Sequence, residues 1–566
     1  MKYFLNKIEK IRCYSAVSEN VLIVKMYKYP SLLHKIIISM LIVVSCTPAQ
    51  AERKELRYFD IWEYQISGNN LLEPEIIESA MYPYLGVNKT LETVEQAKDN
   101  LQKIYKMNGY PIVVVSIPQQ NVIGGIVTLN VIEGKIDRLK VTGNKYFSRR
   151  ELRKEVPSLM PGSSLNMELV REEIDAVNKA NQYRSVVPVI RPGRHKGSME
   201  MELKVRDRFP VNASLETNNR YTSNTSKTRL SASLGYDHLW QKHHSLSMGY
   251  QMAPEVADEV SVFNLNYSMP LTDYTKLVMY GVNSDSRVAT ITGQGDDLTV
   301  LGNGKVFGVR SIISLPTQDS YFHSFSAGVD YKDFGETQAL SNEDDETRFN
   351  VPITYAAWSM SYNGGLRGAA LSLFSVDANF GLRGINKQDE FEFKRFLSKA
   401  NYFYLKASFA QSWSFFNDFE WLYEFKGQYT ESPLISNEQF SAGGVDTVRG
   451  YIESTAIGDN GLLASTEINF SPFKSRGMSK GYGYMQALEL SVFVDAARLR
   501  TLEALPNADG LFNSRSALLG AGFGAKLKAF KYMSAAVYYA RPLNKLDSDN
   551  FEDKGRVHFS LSYNFQ

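Results

Sequence analysis

Apolar and polar residues alternate strictly through most of this chain, from about residue 209 to the C-terminus. Comparable segments of about ten residues recur between turn residues, and their opposite faces carry serine, asparagine, glycine and charged residues. One apolar face and one polar face on strands of this length predict a transmembrane β-barrel with a wet lumen. The last segment shows the pattern most clearly, with apolar positions at Val557, Phe559, Leu561, Tyr563 and Phe565.

A soluble β-sandwich or propeller would also alternate, but its strands are usually only about five or six residues long. Residues 209–566 have room for about 16 antiparallel strands joined by short turns on one side and longer loops on the other, although their length would also allow about 14 or about 18. We therefore predict that the fold class is an all-β transmembrane β-barrel of about 16 strands.

Helical and extended periods are mixed ahead of the barrel, and the same arrangement occurs twice. Residues 58–134 contain apolar positions at helical spacing between Val94 and Ile104, and short alternating strands follow. Residues 135–208 repeat this order. Two small α+β units are therefore expected before the barrel.

The helices of the second unit have signals of their own. Ser148 is placed to cap the N-terminus of a short helix. A longer helix is predicted over residues 167–180, because Leu169, Ile174 and Val177 fall on one side of it.

The first 51 residues have the features of a secretory signal peptide. A nine-residue apolar run at 36–44 follows a lysine and precedes Ala49-Gln50-Ala51, a small-residue cleavage site. Met26 is an alternative start that gives a signal of ordinary length, and cleavage before Cys46 with lipidation of its thiol is an alternative processing route. Both cysteines lie in this segment, so the mature chain would have no disulfide and no thiolate metal site.

Composition and the placement of charged residues and histidines argue against several classes of function. The 63 basic and 61 acidic residues nearly balance, which argues against a nucleic-acid-binding surface. The seven histidines show no arrangement typical of catalysis, and no phosphate-binding glycine loop occurs. We therefore predict no enzymatic activity, no catalytic residue, no metal and no cofactor.

A glycine-rich loop at residues 439–461 interrupts the alternation and contains Arg449. In the strand that includes residues 488–497, Phe493 and Asp495 have the parity of lumen-facing positions. An acid that points into a barrel favours an arginine partner, because the guanidinium can bind a carboxylate in bidentate fashion. If the loop folds inward, Asp495 is available to Arg449.

Two sets of motifs stand out in this chain. The barrel region contains Val448-Arg449-Gly450-Tyr451 and Phe493-x-Asp495, and the first α+β unit contains Pro118-Gln119-Gln120 and Val131-Ile132-Glu133-Gly134. Together they resemble motifs of the two-partner secretion transporters, the haemolysin-activator (TpsB) family. The two α+β units resemble the first and second POTRA domains of that family.

The resemblance implies a function and a location. Such a transporter lies in the outer membrane of a Gram-negative bacterium, among outer-membrane lipids and with its POTRA domains in the periplasm. It secretes one large β-rich exoprotein of the adhesin, haemolysin or contact-dependent toxin type. By the resemblance, Pro118, Gln119 and Gln120 are candidates for substrate capture, and the inward loop gates the pore through Arg449 and Asp495. Phe565 would serve the barrel-assembly machinery as an insertion signal, although Gln566 follows it. The rival function is that of an insertase for other barrels.

Overall fold

The computed structural model describes most of the chain after residue 56. The signal segment predicted at 1–51 and the last residue, Gln566, lie outside the described residues. No helix in the described part is both long and apolar enough to cross a membrane. The described ranges are 57–195, 197–223, 225–286, 289–292, 297–300, 303–342, 345–416, 418–472, 485–503, 514–544 and 554–565.

The first α/β unit packs two helices on short strands. Its three-stranded sheet has the order β2-β5-β4, and β1 pairs with β3. Val94, Ala97 and Leu101 on the longer helix are buried in the core, as the helical spacing predicts. Ile104, in contrast, is only partly buried, and Tyr105 takes the fully buried position beside it. The elements are β1 (Phe59–Ile61), β2 (Glu63–Ser67), α1 (Pro74–Met81), a 3₁₀ turn (Tyr82–Tyr84), β3 (Gly86–Lys89), α2 (Leu91–Met107), β4 (Val114–Ser116) and β5 (Ile126–Ile132).

The second α/β unit has a three-stranded sheet in the order β6-β8-β7. The Ser148 hydroxyl accepts a hydrogen bond from the Arg150 N–H, so the predicted N-cap is present. Its elements are β6 (Lys135–Thr142), α3 (Arg149–Lys154), a 3₁₀ turn (Pro157–Leu159), α4 (Met167–Ala180), β7 (Arg184–Pro192) and β8 (Ser198–Asp207).

One prediction for α4 is wrong. Leu169 is 51% exposed, whereas Val170, Ile174 and Val177 form the buried side of the helix. The i, i+4, i+7 spacing of those three residues defines the stripe, and Leu169 lies about 100° away from Val170 around the helix axis.

Sixteen antiparallel strands form a closed barrel, because the last strand pairs with the first. This confirms the predicted fold class. The barrel strands are β9 (Val211–Asn218), β10 (Arg229–Leu239), β11 (His244–Met252), β12 (Val260–Pro270), β13 (Thr275–Ser286), β16 (Gly304–Ser314), β17 (Tyr321–Asn342), β18 (Asp345–Arg367), β19 (Ala370–Gly381), β20 (Phe403–Phe415), β21 (Phe419–Thr430), β24 (Asn460–Phe470), β25 (Met485–Arg500), β26 (Arg515–Ala529), β27 (Met533–Pro542) and β28 (Arg556–Phe565). Two small hairpins stand outside this sheet: β14 (Ala289–Thr292) with β15 (Asp297–Val300), and β22 (Phe440–Ala442) with β23 (Ala456–Gly458).

The two ends of the barrel differ. We call the end where β9 leaves the second α/β unit the near end, and the opposite end the far end. Strands β17 and β18 have 22 and 23 residues, about twice the predicted length, and their hairpin extends past its neighbours at the far end. A short helix, α5 (Gln388–Lys394), also lies at the far end, in the connection between β19 and β20.

The second α/β unit is docked on the near-end hairpin that joins β10 to β11. The Gln241 side chain accepts a hydrogen bond from the Ser148 N–H at 2.8 Å. The ring of Phe147 stacks on His238 with centroids 4.3 Å apart. Burial raises the pKa of Glu155, but its hydrogen bonds with His243 and Arg184 outweigh burial and hold that pKa below its ordinary value. These polar and aromatic contacts hold the unit to the barrel.

Candidate functional site

The connection between β21 and β24, residues 431–459, folds back into the barrel instead of projecting outward. Val448, Arg449 and Tyr451 are all buried there. Gly450 has a φ of +101°, and a Cβ on it would lie 3.0 Å from the Pro542 nitrogen. Only glycine fits both the backbone conformation and the close approach to β27.

Arg449 binds Asp495 through two side-chain hydrogen bonds, in the bidentate manner expected of a guanidinium that meets a lumen-facing carboxylate. Its Nε donates to Asp495 Oδ2 at 2.7 Å, and its Nη2 donates to Oδ1 at 2.8 Å. The Arg449 backbone N–H also donates to Oδ2, at 3.1 Å. Both side chains are withdrawn from solvent, with 8% and 1% of their surface exposed. Two residues that the sequence places 46 positions apart therefore form one buried ion pair.

The site has additional members that sequence reasoning did not identify. Glu467 on β24 accepts from Arg449 Nη1 at 2.5 Å. Ser465, on the same strand, donates to Asp495 Oδ1 at 2.6 Å. Both residues lie directly opposite the predicted motif, because Glu467 pairs with Phe493 and Ser465 with Asp495 across the β24–β25 ladder. Their lumen parity was readable from the sequence, but this register was not.

Two aromatic rings lie next to the guanidinium group of Arg449. The Arg449 Cζ lies 3.4 Å from the centroid of the Phe493 ring and 5.5 Å from that of Tyr538 on β27. Ring faces attract a cation, and this attraction is strongest where water is excluded. Phe493 therefore has a direct contact with Arg449, in addition to its place beside Asp495.

Charge in this part of the lumen extends beyond the central pair. Lys526 Nζ on β26 lies 3.4 Å from Glu467 and 2.9 Å from Glu489. Glu467 is thus shared between Arg449 and Lys526. A buried ion pair adds little net stability after desolvation, but losing one partner leaves the other charge uncompensated. Such a network favours one loop position over others.

The rest of the loop tip reaches the strands that close the barrel. The Gly450 N–H donates to His558 Nε2 on β28 at 3.1 Å. The Tyr451 hydroxyl bonds to the carbonyl oxygens of Leu519 and Asn544, at 3.2 and 3.0 Å. Together with Arg449, these contacts connect the tip to strands β24, β25, β26 and β28 and to the connection after β27.

The remaining predicted site residues lie elsewhere. The Gln120 side-chain amide forms two hydrogen bonds with the backbone of Thr128. Its Nε2 donates to the Thr128 carbonyl oxygen at 2.8 Å and its Oε1 accepts from the Thr128 N–H at 2.7 Å, so Gln120 stabilises β5. Gln119 is exposed and Pro118 is half-buried. Phe565 ends β28 on the outer face, paired with Ala213 of β9.

Gly520 lies opposite Asp495 in the β25–β26 ladder, and a Cβ on it would overlap the Arg449 carbonyl oxygen. We expect Gly520→Ala to destabilise the docked loop by about 1–3 kcal/mol, the usual cost of overpacking. The thermal midpoint of the purified barrel, followed by its heat-modifiable migration on gels, should fall by several degrees.

Gly281→Ala is the matched control for that substitution, because nothing lies within 4 Å of a Cβ at Gly281. Equal midpoints for the two variants would contradict a tight fit of the Arg449 backbone against β26.

A closed 16-strand barrel, two α/β units at its near end and a loop fixed inside the lumen define an outer-membrane β-barrel protein of the POTRA-barrel class. The model of the haemolysin secretion/activation protein family ShlB/FhaC/HecB matches residues 197–527, and that of the ShlB-type POTRA domain matches residues 59–134. The chain belongs to this family of two-partner secretion transporters.

It is a transporter and not an enzyme, and it lies in the outer membrane with its POTRA region in the periplasm. The near end of the barrel therefore faces the periplasm and the far end the cell surface.

Individual relatives agree with this assignment. The outer membrane transporter CdiB of Dickeya dadantii is 20% identical over 443 residues, covering 74% of this chain and 73% of that protein. The heme/hemopexin transporter protein HuxB of Haemophilus influenzae is 19% identical, covering 79% and 80%.

Solved structures share the fold. CdiB from Escherichia coli superposes with a TM-score of 0.60 at 17% identity, covering 92% of this chain and 93% of that one. BamA from Haemophilus ducreyi lacking POTRA domains 1–3 gives 0.55 at 16% identity, covering 90% and 100%. The likeness to BamA is one of fold alone.

Proposed function

We propose that this transporter secretes a large β-rich partner exoprotein of the adhesin, haemolysin or contact-dependent toxin type. The exoprotein passes from the periplasm to the cell surface, and the loop at 431–459 sets the conformation of the pore. The observation that carries this proposal is the buried bidentate pair of Arg449 and Asp495, which holds the loop tip inside the barrel. The strands that close the barrel pair with one another and not with this loop, so the loop can be displaced without unfolding the barrel.

In this proposal the POTRA units capture the unfolded exoprotein. Their sheets end in edge strands, β4 in the first unit and β7 in the second, and an extended peptide can add to such an edge by backbone hydrogen bonds. Val114 on β4 and Val187 on β7 are exposed apolar side chains beside those edges. Gln119, exposed after β4, is the best placed of the predicted capture residues.

Energy for transport would come from folding of the exoprotein outside the cell, since the sequence contains no nucleotide-binding loop. The chain would need the barrel-assembly machinery for its own insertion, with Phe565 as the signal. Outer-membrane lipids contact the apolar outer face, and nucleic acid has no part in the function.

The test is a secretion assay in a Gram-negative host. The N-terminal fragment of the large exoprotein encoded beside this gene is expressed with and without the transporter, and the medium is assayed for the fragment. We expect the fragment outside the cell only when the transporter is present. A correctly inserted barrel that secretes nothing would contradict the proposal and support the insertase function, which would then be measured as folding of other outer-membrane barrels.

A further inference from the structure

The base of the inward loop carries a second buried carboxylate, Glu438, in a 3₁₀ turn at Ser436–Glu438. Lys332 Nζ donates to it at 2.7 Å. The hydroxyls of Tyr355 and Tyr404 donate to its two oxygens at 2.5 and 2.6 Å. Glu438 therefore binds three barrel strands, β17, β18 and β20, that take no part in holding Arg449.

Asp459 marks the other end of the loop, directly before β24, and is fully buried. It accepts hydrogen bonds from the backbone N–H groups of Leu434 at 2.9 Å and Leu502 at 2.6 Å. The Arg395 guanidinium binds both of its carboxylate oxygens, one of them at 2.8 Å. Arg395 also donates to the Leu434 and Leu502 carbonyl oxygens. One carboxylate and one guanidinium thus join three separate loops at the cell-surface end.

Apolar packing surrounds this polar cluster. Leu434 and Ile435 of the loop base belong to one buried cluster with Phe391 of α5 and Tyr402. Tyr355 and Phe391 meet edge to face, with ring centroids 5.5 Å apart. The loop base and the α5 connection therefore share one core inside the barrel mouth.

The two groups of contacts lie on different parts of the wall. Counted from β9, Glu438 binds the seventh, eighth and tenth strands, whereas Arg449 and Gly450 bind the twelfth, thirteenth and sixteenth. If Arg449 is released, the base of the loop is still held at the mouth by Glu438 and Asp459.

We propose that Glu438 and Asp459 form an outer latch, which holds the base of the loop across the mouth independently of Arg449. They are positioning residues for transport, and this role rests on the proposed function of the loop. The pore opens fully only when the pairs Lys332–Glu438 and Arg395–Asp459 have separated. A chain moving outward would have to displace the shared core as well as the Arg449 tip.

The test measures conductance of the purified full-length protein in planar bilayers, so it needs no exoprotein. Asp459→Asn and Glu438→Gln each remove one charge of a buried pair at nearly constant volume. Since loss of one partner strongly destabilises such a pair, we expect the fraction of time spent in large open states to rise about tenfold. Arg395→Lys keeps the charge but loses the bidentate fork, and it should give a smaller rise.

Lys387→Met is the matched control. Lys387 lies in the same connection as Arg395 and pairs with Glu390 at 2.7 Å, but its side chain is 71% exposed. Exposed pairs contribute little, so this variant should conduct like the wild type. If Asp459→Asn does not yield folded barrel, Lys332→Met is used in its place. It removes the barrel-wall partner of the Lys332–Glu438 pair and should also raise the open fraction.

The latch would be overturned if folded Asp459→Asn and Glu438→Gln proteins spent no more time in large open states than the wild type. It would also be overturned if Lys387→Met raised the open fraction as much as they do. A raised open fraction in a protein that secretes no exoprotein would uphold the latch and contradict the proposed transport function. The two ideas therefore fail separately.

Discussion

Replacing Arg449 by alanine is expected to reduce secretion of the partner exoprotein at least about tenfold while the barrel still reaches the outer membrane. The substitution leaves Asp495 as a buried carboxylate without its cation, a loss of about 3–5 kcal/mol for a buried pair, and leaves Glu467 with Lys526 alone. The docked position of the loop tip is then no longer favoured. Barrel assembly should persist, because the strand pairing that closes the barrel does not involve Arg449.

The measurement is the exoprotein fragment in the medium, normalised to the amount of transporter in purified outer membranes. Arg449→Lys should secrete at an intermediate level, since lysine retains the charge without the planar fork that binds both oxygens of Asp495. Lys426→Met is a suitable control, because Lys426 is a lumen-facing cation whose pair with Glu424 is partly exposed. If a correctly inserted Arg449→Ala protein secreted the fragment at the wild-type level, the ion pair would serve only to stabilise the barrel and would have no role in transport.

The second large effect concerns assembly. Phe565→Ala is expected to lower the amount of folded barrel in the outer membrane about tenfold. The Phe565 side chain is 52% exposed on the outer face, and its ring lies 6.1 Å from that of Tyr532. In the finished barrel its removal costs about 1–2 kcal/mol, a small part of the stability of sixteen paired strands. A large loss of folded protein would therefore arise before folding, when the chain is delivered for insertion.

Tyr563→Ala separates these explanations. Tyr563 lies on the same face of the same strand, two residues earlier, and is 43% exposed. It therefore loses a comparable apolar area without changing the C-terminal aromatic position. Folded barrel is measured in both variants by heat-modifiable migration and by protease resistance in intact cells. If both variants lost the same amount of folded barrel, Phe565 would contribute only as an aromatic residue that faces the lipid and not as an insertion signal.

The architecture was predictable because its signals are local. Period-two alternation is a property of each strand alone, so single segments are enough to predict a barrel. The number of strands followed only from the length of residues 209–566, which allows about 16 but does not exclude about 14 or about 18. The short helices α1 and α5 were missed because eight and seven residues carry too few turns to establish a helical period. The length of the β17–β18 hairpin was missed because nothing in the alternation marks where a strand leaves the membrane.

The site was predictable only in part, for a related reason. Parity along one strand places Asp495 in the lumen, and the loop motif supplies Arg449. Glu467 and Ser465 depend on the register between β24 and β25, which no single segment encodes. The contacts of Glu438 with Lys332 join residues 106 positions apart, so they follow from closure of the barrel and not from any local pattern.

The long hairpin places a two-stranded ribbon outside the wall of the barrel at the cell-surface end. From Gly335 to Asn342, β17 pairs with β18 and with no other described strand of the barrel. Eight residues at about 3.3 Å each carry this ribbon about 26 Å past the last rung that β17 shares with β16. Particles that approach the cell from outside can therefore meet this ribbon as well as the mouth of the barrel. Because closure of the barrel rests on the pairing of β28 with β9, we expect substitutions in the ribbon to leave the barrel closed.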